Sequence, residues 1–277
     1  MGKFETIEDS SSNNIPFIRF GSGKKQMLVF FGGPGNILPR GMLFSTFAKG
    51  YFPFMDDYTI TLLSRKSGLT EGYTTTKMAQ DYATLIELDY NNKVDVIIGH
   101  SYGGMIAQHF AAMFPNLFDR LIIMGATNNV TPEGMELDRK FAEYLSQGKK
   151  AKAFSSMGEI FSKSNFKRAL IKFALLIASI FIKLPKYASF SSDVLLEFKA
   201  EESHDANAQF SRIAQPILIM LGDEDYYFTV ESVKRMADQI PNSILKIYQD
   251  SGHSLDEHPD FEKDLREYIS HNTILEG

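Results

Sequence analysis

VDVIIGHSYGGMIAQHFAAMF, residues 94–114, decides how this chain folds. Its opening, VDVIIG, is an almost unbroken apolar run that ends on glycine. That pattern suits a strand buried on both faces. Its second half, SYGGMIAQHFAAMF, predicts a helix that stops before Pro115, because the residue ahead of a proline disfavours helical geometry. Between strand and helix lies Gly99-His100-Ser101-Tyr102-Gly103, a G-x-S-x-G sequence in a tight βα turn.

The same alternation extends outward in both directions. QMLVFF (26–31) is a buried-strand pattern running into GGPG (32–35), and TITLLS (59–64), RLIIMG (120–125), PILIMLG (216–222) and SILKIY (243–248) are others. TTTKMAQDYATLIELDY (74–90) has helical spacing with threonines available for an N-cap. VESVKRMADQI and a segment from about Asp260 to Ile269 complete the helical set. Two strands are expected near the start, at 3–8 and 15–20, parted by the polar turn DSSSNN. Strands alternating with helices predict an α/β fold with a mostly parallel central sheet flanked by helices. Ligands of such sheets sit at the carboxyl ends of the strands, where these motifs fall.

Residues 128–209 interrupt the rhythm with segments that read only as helices. Three parts are therefore expected: a core at 1–127, an inserted helical cap at 128–209, and the rest of the core at 210–277. Eleven basic residues and two acidic ones, Glu143 and Glu159, lie between Arg139 and Lys186, a local net charge of +9. The whole chain carries −5, so the remainder carries −14. In FKRALIKFALLIASIFIKL (166–184), Arg168, Lys172, Ser179 and Lys183 share one helical stripe. Three uses are open: a packed cap helix with that stripe in water, a lid lining an apolar pocket, or contact with an anionic membrane.

Bulk properties narrow the function. The 277 residues include no cysteine, which excludes disulfides and thiolate nucleophiles. Six histidines show no HExxH-like spacing, so neither a metal nor a cofactor is expected. The net charge of −5 gives no overall attraction to nucleic acid. FALLIASIFI (173–182) is too short to span a bilayer, and the N-terminus lacks the apolar region of a signal peptide. Gly2 and Thr6 fit a loose myristoylation pattern, but KFETI reads better as an opening strand. A cytoplasmic protein is expected, without stable membrane insertion; oligomeric state is open. GSGKK (21–25) lacks the spacing of a phosphate loop, and no G-x-G-x-x-G follows a strand.

G-x-S-x-G carries chemistry for a physical reason. A serine on a sharp strand-to-helix turn stands exposed, and the helix N-terminus behind it offers free N–H groups and a positive dipole end. GHSYGG (99–104) resembles the nucleophile elbow of the α/β-hydrolase fold family, and the resemblance extends over nearly the whole chain apart from the cap. It implies a triad in the order serine, acid, histidine. Ser101 would be the nucleophile and His253, in DSGHSLDEHPD, the general base; His258, His204 and His271 fit less well. Asp225, in LGDEDYYF, matches the family's G-x-x-D spacing from Gly222, with Asp223 and Glu224 as competitors. The resemblance also implies an oxyanion hole from the amides of Tyr102 and Gly33, although Phe31 stands where the family often has histidine. The expected activity is hydrolysis of an ester of a small or medium hydrophobic acid. A proline iminopeptidase-like aminopeptidase, using carboxylates such as Glu133, Glu136, Glu197, Glu201 or Glu202, is the alternative, as is a non-catalytic ligand-binding protein on the same scaffold.

Overall fold

The computed structural model describes residues 5–33, 35–161 and 165–270. Its centre is an eight-stranded sheet in the order β1-β2-β4-β3-β5-β6-β7-β8. The strands are β1 (Ile7–Ser10), β2 (Pro16–Phe20), β3 (Lys25–Phe30), β4 (Tyr58–Leu63), β5 (Val94–His100), β6 (Phe118–Met124), β7 (Ile217–Gly222) and β8 (Ser243–Tyr248). β1 and β2 pair antiparallel, as do β2 and β4; every later pairing is parallel. The expected first strand is displaced: β1 begins at Ile7 and is exposed along its length, an edge with no burial pattern to fix it. Gly2 and His271 lie outside the described residues.

The apolar runs are buried on both faces, as parallel strands require. Leu28 and Phe30 of β3 point into one core with Tyr82 and Phe110, while Met27 and Val29 point into the other with Phe44 and Phe261. The first core is covered by α2 (Thr75–Asp89), α3 (Tyr102–Met113) and α9 (Val230–Gln239), the second by α1 (Met42–Ala48) and α10 (Phe261–Ser270). The helix starts follow local chemistry. The Thr74 side chain caps α2 by accepting from the Lys77 amide, and Thr229 does the same for α9 through Ser232.

Between β6 and β7 the described chain is helical: α4 (Pro132–Ser146), α5 (Lys150–Ser156), α6 (Asn165–Ala178), α7 (Phe190–Glu202) and the short α8 (Asn207–Phe210), with single 3-10 turns at Met157–Phe161 and Ser179–Phe181. α4, α5 and α7 share a separate apolar cluster that includes Phe141, Leu145, Ala153 and Val194. Among the described residues no helix is long and apolar enough to cross a membrane.

Strand order also places the site. The chain passes from β3 to β4 on one side of it, then crosses to β5 on the other side. This reversal opens a crevice at the carboxyl ends of β3 and β5. The loop after β3 begins there, and so does the turn that carries Ser101.

Candidate active site

Ser101 occupies the N-cap of α3 with φ 54° and ψ −122°. Positive φ is strained for a residue with a Cβ. The turn is held by its neighbours: the Ser101 amide donates to Met124 O at 2.9 Å, and Ser101 O accepts from Gly104 at 2.7 Å. Gly103 is required by close approach, since a Cβ there would lie 1.9 Å from Phe30 O. Gly32 faces the serine directly, where a Cβ would be 2.9 Å from Ser101 Cβ.

His253, in the loop after β8, turns its Nε2 to within 3.0 Å of Ser101 Oγ. Its Nδ1 is 2.8 Å from Asp225 Oδ2. The second oxygen of Asp225 accepts from the amides of Tyr227 and Phe228 at 2.8 and 3.2 Å, which fixes the carboxylate. Burial opposes charge on His253, but the charge and hydrogen bond of Asp225, helped by Asp138, outweigh it and raise the imidazole pKa above 6.5. Asp223 does not compete for the ring; it accepts from the Ser251 amide at 3.3 Å. His258 accepts from the Asp260 amide ahead of α10, and His204 is buried between Thr75 and Gln108. His100 stacks on His253 with ring centroids 5.7 Å apart, and burial, helped by the neighbouring imidazole, lowers its pKa to about 3. It therefore adds no charge beside the serine at neutral pH.

The loop after β3 is held by Arg65, which the sequence reading missed, and by Glu197, which it offered only as a ligand-binding carboxylate. Arg65 donates to Phe31 O at 2.8 Å and also to Gly33 O. Its guanidinium lies 3.1 Å from Glu197 Oε2, with both side chains almost wholly buried. Glu197 in turn accepts from the Gly35 amide at 2.5 Å. Arg65 also sits over the Tyr102 ring, whose hydroxyl donates to Glu197 O at 2.9 Å. The backbone on either side of Gly33 is thereby anchored without a histidine at position 31.

Above Ser101 is a cavity of about 280 Å³. Its walls are mainly apolar, including Ile37, Phe141, Phe154, Met157, Ile160 and Leu175. The polar lining includes Ser101, His100, His253 and Tyr227, two cations, Arg40 and Lys183, and a carboxyl pair, Asp138 and Glu201. Asp138 accepts from Tyr227 Oη at 3.0 Å and is hydrogen-bonded to Glu201. Burial raises the Asp138 pKa to about 7, and burial together with the adjacent Asp138 raises Glu201 well above the usual carboxylate range. Two such groups side by side share a proton at neutral pH. The other suggested carboxylates sit elsewhere: Glu136 pairs with Arg139 and Lys140 on the surface, and Glu197 with Arg65. One signal in the sequence marks Asp138, Glu197 and Glu201. Each interrupts the buried stripe of its helix: Leu137, Phe141 and Leu145 on α4, and Phe190, Val194 and Phe198 on α7.

The whole arrangement sits on a known scaffold. A family model described as the alpha/beta hydrolase fold matches residues 27–255. Monoacylglycerol lipase ABHD6 of Bos taurus is 24% identical over 181 residues, covering 61% of this chain and 52% of that protein. The chain thus spans about half the length of the curated relatives it matches. Among solved structures, the alpha/beta hydrolase enzyme MGS-M2 from a Medee basin deep-sea metagenome library superposes with a TM-score of 0.72 at 18% identity, over 98% of both chains. The esterase EaEST from Exiguobacterium antarcticum gives 0.70 at 19% identity, over 98% of this chain and 100% of its own. The chain belongs to the α/β-hydrolase fold family.

Proposed function

We propose that this protein is a cofactor-independent serine hydrolase that cleaves an ester of a small or medium hydrophobic acid. The observation that carries the reading is the chain of contacts from Ser101 Oγ through His253 to Asp225, at 3.0 and 2.8 Å, on the floor of an apolar cavity.

In this reading Ser101 Oγ attacks the ester carbonyl while His253 Nε2 takes its proton. Asp225 holds the Nδ1–H tautomer and stabilises the imidazolium. The amides of Tyr102 and Gly33 receive the oxyanion, each donor contributing about 3–4 kcal/mol to the barrier reduction. His253 then protonates the departing alkoxide, leaving an acyl-serine. Water, deprotonated by the same imidazole, attacks that acyl group and releases the acid. The helices at 128–209 act as a cap that supplies the apolar walls, so the acyl group is held by burial rather than by polar contacts. The proposal keeps the cytoplasmic location that the sequence suggests.

A second reading, an aminopeptidase that takes a peptide ammonium, is favoured by one observation: Asp138 and Glu201 line the same cavity. The ester reading stands ahead of it because both carboxyls are drawn toward protonation by burial, the two cations on the lining, Arg40 and Lys183, do not favour an ammonium, and most of the remaining walls are apolar. Fluorophosphonate labelling tests the shared chemistry. Wild-type protein is expected to be labelled at Ser101 and the Ser101→Ala protein to be unlabelled; a folded wild type that stays unlabelled overturns the hydrolase reading in favour of a ligand-binding role. p-Nitrophenyl esters of increasing chain length, run beside proline amides, separate the two activities, and preference for the amides overturns the ester assignment.

A further inference from the structure

α6 sits with its apolar side outward. Phe166, Leu170, Phe173, Ile177 and Ile180 follow one another at steps of 4, 3, 4 and 3 residues, a single helical stripe continued into the 3-10 turn. These five side chains are 44 to 73% exposed, and Phe181 beside them is 77% exposed. Three of the four residues of the polar stripe, Arg168, Lys172 and Ser179, turn toward the protein instead. Arg168 and Lys172 both pair with Glu159, the first at 2.8 Å, and Ser179 is buried. A cap helix serving only as packing would lie the other way round, because exposing a row of large apolar side chains forgoes most of their hydrophobic stabilisation. A contiguous exposed apolar face of this kind marks a contact surface.

Charge and position identify the partner. The face lies within the segment whose net charge is +9, and Lys149, Lys152, Lys183 and Lys186 around it are exposed. Symmetric pairing of two copies through this face would bring two such positive fields together. An anionic lipid surface complements both features, accepting apolar side chains below its headgroups and attracting lysines at them. The face also borders the cavity above Ser101: Leu175, Ala178, Phe181 and Lys183 of this same stretch form part of the cavity wall.

We propose that the outward face of α6 docks on an anionic lipid surface and seats the mouth of the cavity against it. An apolar ester dissolved in that surface then reaches Ser101 without crossing water. Docking itself does not depend on the hydrolase reading, so the two fail separately.

The experiment is cosedimentation of the full chain carrying Ser101→Ala with phosphatidylcholine vesicles, with and without phosphatidylserine. Binding is expected to be about tenfold or more stronger on the anionic vesicles, and to fall as salt is raised. Phe166→Glu with Phe173→Glu is expected to reduce it by an order of magnitude or more. Neither residue lines the cavity, so in the Ser101-containing protein this pair of changes should leave hydrolysis of a short soluble ester unchanged. Leu170→Glu alone serves the same purpose if the double variant does not fold. No binding, equal binding to neutral vesicles, or binding retained by the folded variants overturns the proposal. A concentration-dependent dimer abolished by the same changes overturns it too, by giving the face to a second copy.

Discussion

The Arg65 guanidinium and the Glu197 carboxylate meet at 3.1 Å with side chains 2% and 0% exposed, joining the loop after β3 to helix α7. One end of this pair anchors the backbone around Gly33 and the other belongs to the helices above the cavity. The pair therefore makes the loop after β3 and the helices over the cavity one mechanical unit. Arg65→Met leaves a buried carboxylate without its cation, a change that costs about 3–5 kcal/mol. Urea unfolding is expected to show that loss. In a cycle with Glu197→Gln, the two changes together should cost clearly less than their sum; additive losses would mean that the residues do not act as a pair.

In the proposed mechanism the imidazole of His253 must be neutral to accept the serine proton, so activity is lost as pH falls through its pKa. Asp225 holds that pKa above 6.5 despite burial. The rising limb of kcat/KM is therefore expected above pH 6.5 in the wild type. Asp225→Asn removes the strongest influence that favours the charged ring, and burial then dominates. The limb should move to lower pH while kcat falls by about 10⁴-fold. A limb that stays in place would show that Asp225 does not set the protonation of His253.

How much of this was legible in the sequence follows from the range of the forces involved. The central strands are readable because burial on both faces leaves an apolar run, as in β3, β5 and β7. Ser101, Asp225 and His253 are nameable through the resemblance of GHSYGG, of G-x-x-D from Gly222 and of the GH after SILKIY to the family's pattern, with each candidate in a segment that follows a strand. Arg65, and the pairing of Glu197 with it, are not legible because the pair is a contact across 132 positions, which no local periodicity reports. Asp138 and Glu201 left a trace, as carboxyls on otherwise apolar stripes, but a stripe does not say which cavity it faces. The orientation of α6 was unreadable for a related reason. An amphipathic pattern shows that two faces differ, and only the placement of Glu159 under Arg168 and Lys172 shows which one turns inward.

Asp138 and Glu201 give a stability prediction with a definite sign. A carboxyl whose pKa is raised on folding stabilises the fold while protonated, and that contribution is lost as pH rises through the folded value. For Asp138 the window runs from its ordinary 3.8 to about 7. Asp138→Asn keeps an acceptor for Tyr227 and a donor for Glu201 without a proton to lose. Its melting temperature is expected to equal that of the wild type near pH 4 and to exceed it by a few degrees near pH 8. Equal melting temperatures across the range would mean that the pair is not protonated in the folded protein.

Under the proposed ester reading the size of the cavity sets which acyl groups fit, and two substitutions bracket it. Ile160 lines the wall and is only partly buried, so Ile160→Trp extends into the free space rather than into packed neighbours. Short esters should still fit, while longer ones must displace the indole. Their kcat/KM is expected to fall by about 10–200-fold relative to the acetate, the range that one misfit in an apolar pocket produces. Phe141→Ala acts in the opposite sense. Phe141 is 6% exposed and packs edge-on against Phe154 with ring centroids 5.5 Å apart, so its removal enlarges the cavity from within the apolar cluster of α4, α5 and α7. Longer esters should gain relative to short ones, at a cost of about 3–5 kcal/mol in stability. Chain-length profiles of the p-nitrophenyl esters measure both effects. If the two variants shift the profile in the same direction, or leave it where the wild type has it, the acyl group does not occupy the space between α4 and the 3-10 turn at Met157–Phe161.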